Sequence, residues 1–252
     1  QRDYLHDFKE LFWHVLGPLI LVCVLILPNN FSTAALVFIN GLVLMFVGKI
    51  RIKFIAAIIG FAFVGALTIY GTAKFTSLGT KIMPRSATWV SRIDSFFVDA
   101  KGDEQTKDFQ QTQALVAIQN GGMTGVGPGK STQRNILPYS SSDFIYAIII
   151  EEYGLFGGVL ALLFYLILMF RAIRIALRVE SVFGSLLATG LMFSLVFQAL
   201  INMLVSVEVL PVTGQTLPLI SMGGTSIVFS CIAIGIVLSV SRDATDRKYE
   251  KA

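Results

Sequence analysis

Charge is scarce in this chain. Asp, Glu, Lys and Arg together make up 14% of its 252 residues, where a soluble domain carries about 25%. Cysteine and histidine are scarcer still, with two of each. Cys23 and Cys231 both sit in apolar stretches far apart in sequence. They read as small hydrophobes and give no disulfide framework. His6 and His14 lie near the start, and no cluster of Cys, His and carboxylates has metal-ligand spacing, so no structural metal is expected. There is no Ser-His-Asp order, no nucleophile elbow, no Walker loop, no secretory signal peptide, no tandem repeat of soluble type and no low-complexity tract.

What is present is hydrophobic sequence, 54% of the chain, gathered into long runs. A run of about 20 residues matches the ~30 Å hydrocarbon core of a bilayer. The runs predict an all-α polytopic membrane protein, a single membrane domain over 1–252 with spans at about 11–27, 31–47, 54–70, 144–170, 182–207 and 220–240. A polar region, 71–142, separates the third span from the fourth. The net charge of +4 comes from cations clustered at span ends, so it does not indicate nucleic-acid binding. Lys49–Lys53, Arg171–Arg178 and the tail bearing Arg242, Arg247, Lys248 and Lys251 fall on one side if six spans cross. The positive-inside rule makes that side cytoplasmic. The region 71–142 and the connection 208–219 then lie outside. The chain begins at Gln1, without Met, and enters its first span almost at once, as a piece of a longer protein would.

The outer region carries the polar chemistry. Phe109–Gln119 reads as a short helix with Gln110 and Gln113 one turn apart, ended by Asn120-Gly121-Gly122. Gly125, Gly127 and Gly129 permit backbone conformations closed to other residues. Asp143 stands at the mouth of the fourth span, where Ser140–Ser142 can cap the helix. Two readings fit Asp143: a general base at the membrane surface, or a helix-start carboxylate favoured by the macrodipole. Glu151 and Glu152 fall inside the apolar slab, where a charge costs roughly 2.5–3.5 kcal/mol or more. At least one must face a cavity, a cation or a polar partner. A structural hydrogen bond to another span fits equally. On a helical wheel Glu151 lies nearer to Asp143's face. Arg85, Arg92, Lys130 and Arg134 suit a diphosphate, to which arginine offers paired bonds; a solvated loop or contact with lipid headgroups explains them as well. In Leu210–Ser226, two prolines and Gly214 break a would-be helix close to the bilayer. Such backbone is tolerated only when buried in protein or lining a cavity. A tight interhelical hairpin is the simpler account. Gly223-Gly224 would allow close packing where the last span starts.

These stretches resemble the SEDS family of shape, elongation, division and sporulation proteins, the FtsW, RodA and SpoVE group. The likeness rests on Leu137-Pro-x-x-x-Ser-Asp-Phe-Ile-Tyr-Ala147, on Glu151-Glu-x-Gly154 and on Leu210-Pro-Val-Thr-Gly-x-x-Leu-Pro-x-Ile-Ser-x-Gly-Gly-Thr-Ser226. Arg92-Ile-x-Ser-Phe and Gln110-x-x-Gln113-Ala-Leu-x-Ala-Ile also fit, and Tyr139 through Gly154 is closest to the FtsW type. The likeness extends over essentially the whole chain and places its six spans as the last six of a ten-span fold. It implies a peptidoglycan glycosyltransferase polymerising lipid II in the bacterial cytoplasmic membrane, with Asp143 as catalytic base and undecaprenyl pyrophosphate as leaving group. The implied substrate-binding set is Lys130, Arg134, Arg92, Arg85, Glu151, Gln113, Thr213 and Ser221. The implied partners are lipid II, a class B penicillin-binding protein and other divisome or elongasome membrane proteins. No cofactor is assigned, although a divalent cation, Mg or Mn, could share in compensating the diphosphate. Many relatives carry Pro-Glu-x-His-Thr-Asp where this chain has Pro138-Tyr-Ser-Ser-Ser-Asp143, so Tyr139 and Ser141 replace the Glu and His. Two other readings stand beside the transferase: a lipid II flippase, and a scaffold that activates the penicillin-binding protein.

Overall fold

The computed structural model describes residues 8–75, 88–92, 94 and 109–250, and side chains over 9–74, 88–92, 94 and 109–242. Its described residues are helical or irregular, with no strand among them. The chain divides into two compact units, Gln1–Val98 and Asp99–Ala252.

In the first unit, α1 (Phe8–Leu11), a π-helical turn (Phe12–Leu16) and α2 (Gly17–Ile26) run on as one rod. The π turn has a local cause. Pro18 has no amide to donate and its ring crowds the carbonyl four residues back, and the Gly17 amide reaches Phe12 O, five residues back. Helix α3 (Phe31–Val47) starts where Asn30 caps it, its side chain accepting from the Thr33 amide at 3.1 Å. Helix α4 (Ile52–Phe75) is longer than the 54–70 expected and takes in the first residues assigned to the outer region. Leu11, Leu16, Met45, Ile50 and Ile55 form the core of this unit.

The second unit holds α5 (Phe109–Gly121), α6 (Ile145–Arg178), α7 (Val182–Ser206) and α8 (Gly224–Glu250). Helix α6 packs on α5, α7 and α8. Ala114, Ala117, Phe144, Ala147, Ile148, Val205 and Val212 belong to one core cluster, and Tyr146, Ile150, Tyr165, Val196, Ala199, Met203 and Leu217 to another.

Among the described residues five helices are long and apolar enough to cross a membrane, and the further apolar helix Phe31–Val47 has 17 residues. The chain is a multi-pass helical membrane protein, and the expected span 31–47 coincides with this shorter helix. Helix α6 runs past the expected span end at 170, through Arg171 and Arg174, to Arg178. Likewise α8 extends to Glu250, through most of the expected tail. Ser140–Ser142 do not cap α6. Its N-cap is Phe144, with no side-chain cap bond, and the Ser140 hydroxyl binds Arg134 O instead. Gly224 has open space where close packing was expected.

Helix α6 is broken at Gly154, whose φ of 72° and ψ of −173° lie in a region essentially reserved for glycine. A break at membrane depth frees backbone groups that must find partners. The glycine-rich loop supplies them. Val126 N–H donates to Glu151 O at 2.9 Å, Gly127 N–H to Glu152 O at 3.0 Å, and Leu155 N–H to Gly122 O at 2.9 Å. The two backbones approach so closely that a Cβ on Gly125 would overlap the Glu152 carbonyl, and one on Gly154 the Met123 carbonyl.

Candidate functional site

Asp143 is half-buried, two residues ahead of α6. Its backbone is fixed from two directions. Tyr139, in the left-handed region at φ 58°, offers its carbonyl to the amides of Ser142 and Asp143, both at 3.0 Å. The three carbonyls from Ser141 to Asp143 are then taken in succession. Met222 N–H donates to Ser141 O at 2.8 Å, the Ser221 hydroxyl to Ser142 O at 2.6 Å, and Asn202 Nδ2 to Asp143 O at 2.6 Å. Asn202 Nδ2 also donates to Gln215 O at 2.7 Å. The irregular segment 207–223 is thereby tied both to α7 and to the approach to α6. Tyr165 of α6 closes the arrangement by donating to Pro218 O.

The Asp143 side chain has two unlike oxygens. Oδ1 accepts from the Ser142 hydroxyl at 2.5 Å. Oδ2 faces Gly214, which has φ 66° and where an added Cβ would lie 3.8 Å away. A base works by holding an oxygen within hydrogen-bond reach of the proton it takes.

Glu151 forms a second polar centre and is 1% exposed. It accepts from Ser131 Oγ, from Thr132 Oγ1 at 3.0 Å and N–H at 3.3 Å, from Gln133 N–H at 3.3 Å, and from Asn120 Nδ2 at 3.4 Å. The burial cost foreseen from sequence is met by residues 131–133 and by Asn120 near the end of α5. The 3-10 turn Gln133–Asn135 follows directly. The Ser131 hydroxyl accepts from Arg134 N–H at 3.0 Å, and Arg134 O accepts from Ser140 Oγ at 2.8 Å, so the chain is tied from Glu151 to the turn that presents Asp143.

Lys130 and Arg134 are exposed on this loop, with no ion pair to either among the described residues. Gln113 is half-buried on α5, and Thr213 is half-buried beside Gly214. Ser221 is fully buried, with its hydroxyl accepting from Leu217 N–H at 2.7 Å and donating to Ser142 O, so it joins segments and faces no opening. Arg92 belongs to the first unit, on the helical turn 88–92, and Arg85 lies outside the described residues. Asn202 and Ser131 were not singled out from sequence, and Ser142 was read only as a helix cap. For Asn202 a signal existed: an amide inside an apolar run must find a partner. Among the described residues no group of three or more His, Cys, Asp or Glu converges. A single carboxylate falls short of an all-protein divalent site; a Mg ion would be held by it together with the substrate's phosphates.

Fold and site together define a multi-pass helical membrane protein whose broken helix and irregular segment hold one aspartate at a helix mouth. The family model described as "Cell cycle protein", that of FtsW, RodA and SpoVE, matches residues 2–246, and the chain belongs to this family. Stage V sporulation protein E of Bacillus subtilis (strain 168) is 41% identical over 154 residues, covering 61% of this chain and 42% of that protein. The probable peptidoglycan glycosyltransferase FtsW of Thioalkalivibrio sulfidiphilus is 32% identical over 251 residues, covering 94% and 58%. The chain thus spans about half the length of these curated relatives. A chain in a solved structure, described as "Structural coordination of polymerization and crosslinking by a peptidoglycan synthase complex", shares the fold with a TM-score of 0.72 at 22% identity, over 96% of this chain and 64% of that one.

Proposed function

We propose that this chain forms the catalytic part of a peptidoglycan glycosyltransferase that polymerises lipid II, with Asp143 as general base. The relatives named as probable glycosyltransferases support the reaction class. The observation that carries the residue assignment is the pinning of three consecutive carbonyls up to Asp143 by Met222, Ser221 and Asn202, which fixes one carboxylate while leaving Oδ2 beside Gly214.

In this reading Oδ2 takes the proton from the 4-hydroxyl of the acceptor GlcNAc. That oxygen bonds to C1 of the donor MurNAc as the C1–O bond to undecaprenyl pyrophosphate breaks. Attack and departure on opposite faces invert the anomeric carbon, and no covalent enzyme intermediate forms. The diphosphate gains charge as it leaves and needs positive charge nearby. Lys130 and Arg134 are the cations assigned to it. Gln113 and Thr213 are assigned to the sugars. Lipid II arrives from the outer leaflet, so 71–142 faces outward and the C-terminus lies in the cytoplasm. A class B penicillin-binding protein is the proposed partner.

The rival reading as a flippase draws on Glu151, Glu152 and the broken segment; Glu151 is bound by its loop donors, while Glu152 Oε1 is buried without a hydrogen-bond partner among the described residues. The test is lipid II polymerisation by the full-length protein with its partner. Asp143→Ala and Asp143→Asn should each lower the rate by about 10²–10⁴-fold with an unchanged thermal midpoint. Polymerisation by either variant at wild-type rate would overturn the assignment, and lipid flipping without chain growth by the wild type would overturn the reaction.

A further inference from the structure

We infer that Glu151 is a positioning residue: its carboxylate latches the cation-bearing loop to the break in α6, and it does not bind substrate. This rests on the glycosyltransferase reading for its kinetic consequence and on geometry alone for its structural one.

Three observations carry it. Glu151 is 1% exposed, so a diphosphate or sugar has no route to its oxygens. Its partners are all uncharged donors from the loop and the end of α5: Ser131, Thr132, Gln133 and Asn120. The partners lie directly beside Lys130 and Arg134, so the carboxylate fixes the backbone from which both cations project. The same residue works on both faces of the latch. Its side chain holds 131–133, while its own carbonyl, freed by the break at Gly154, accepts from Val126 N–H at 2.9 Å. A loop rich in glycine would otherwise sample many conformations, and a cation that wanders from the diphosphate loses its orientation.

The consequence is a distinctive kinetic pattern. Removing a base lowers kcat. Loosening a loop that holds the donor headgroup raises KM for lipid II. A general loss of folded protein lowers apparent kcat only. Glu151→Gln keeps the size of the side chain but turns one acceptor into a donor facing donors. Hydrogen bonds to charged groups are strong enough that losing one is expected to cost about tenfold.

The experiment uses the full-length protein with its partner in nanodiscs. Glu151→Gln should raise KM for lipid II by about tenfold, with kcat changed less than about threefold, matching the pattern of Lys130→Ala and unlike that of Asp143→Asn. Amide exchange over 126–133 should quicken in Glu151→Gln and not in Asp143→Asn. Ser131→Ala, a milder change, should show the same pattern at smaller size, and the double variant should be less than additive. Unchanged exchange over 126–133, a kcat-only defect, or additivity with Ser131→Ala would each overturn the inference. If the wild type polymerises nothing, the proposed function fails while the exchange measurement still decides the role of Glu151.

Discussion

The Ser142 hydroxyl donates to Asp143 Oδ1 at 2.5 Å, which leaves Oδ2 as the carboxylate oxygen turned toward Gly214. Neighbours in sequence thus divide the work: one presents the carboxylate and the other fixes its rotation. The Asp143 backbone is held independently, by Tyr139, Ser221 and Asn202. Side-chain and main-chain restraints can therefore be separated by mutation.

Ser142→Ala removes the rotational restraint and leaves the backbone contacts, since Ser142 O is still available to Ser221. Losing a hydrogen bond to a charged acceptor corresponds to about 1.5–3 kcal/mol, or roughly ten- to hundredfold in kcat if its whole effect falls on the reacting orientation. Ser142→Thr keeps the hydroxyl, and threonine is the residue in the Pro-Glu-x-His-Thr-Asp pattern of many relatives. It should recover activity to within about threefold. Chain-growth rates for the two variants check this, and Ser142→Ala at the wild-type rate would refute it.

Asn202 tests the backbone restraint. Its Nδ2 donates to both Asp143 O and Gln215 O, and the residue is 1% exposed. Asn202→Ala removes the donor shared by the two carbonyls and should destabilise by about 2–4 kcal/mol. Asn202→Asp puts an acceptor opposite two acceptors and should be worse than alanine. The expected order of thermal midpoints is wild type, Ala, Asp, with polymerisation falling in the same order. Aspartate equal to or better than alanine would contradict the contacts.

The helices and the two unusual stretches were legible because their signals are local. Apolar runs report spans, and Pro211, Gly214 and Pro218 report broken backbone. Asp143 was singled out through the family resemblance, since a carboxylate at a helix start is by itself ordinary. What eluded sequence reasoning depends on pairing between distant segments. Nothing in 121–134 says that its amides complete the broken ladder of α6, because the need arises only from the φ of Gly154. Glu151 read as a candidate for substrate because its cost was visible and its partners, eighteen to thirty-one residues away, were not. Ser221 was singled out for its motif, and only the fold shows its hydroxyl bound on both sides.

Asp94 gives a pH-dependent prediction in the first unit. The Tyr70 hydroxyl, at 2.6 Å, and then the Lys74 ammonium, at 2.9 Å, hold its carboxyl below the usual range. A depressed carboxyl contributes stability that is present above the unfolded pKa and lost as pH falls through the folded one. The thermal midpoint should therefore decline below about pH 4 more steeply in the wild type than in Asp94→Asn. The site is exposed, so the difference should be small and should shrink in high salt. Identical acid profiles for the two proteins would remove Asp94 from the account.

Gly154 offers the most severe test of the fold. Its φ and ψ suit glycine alone, and an added Cβ would meet the Met123 carbonyl and the Gly125 amide. Neither neighbour is a flexible side chain that could swing aside. Gly154→Ala must therefore either straighten α6, which withdraws Glu151 O and Glu152 O from the loop amides, or push the loop away. Each route breaks the bonds from Val126 and Gly127, and a loss of about 3 kcal/mol or more is expected. Gly60 of α4 has no atom within 4 Å of an added Cβ, so Gly60→Ala should be neutral or slightly stabilising, by up to about 1 kcal/mol. Thermal melting of the two variants in one detergent makes the comparison. A Gly154→Ala protein as stable as Gly60→Ala would show that the break in α6 does not need glycine.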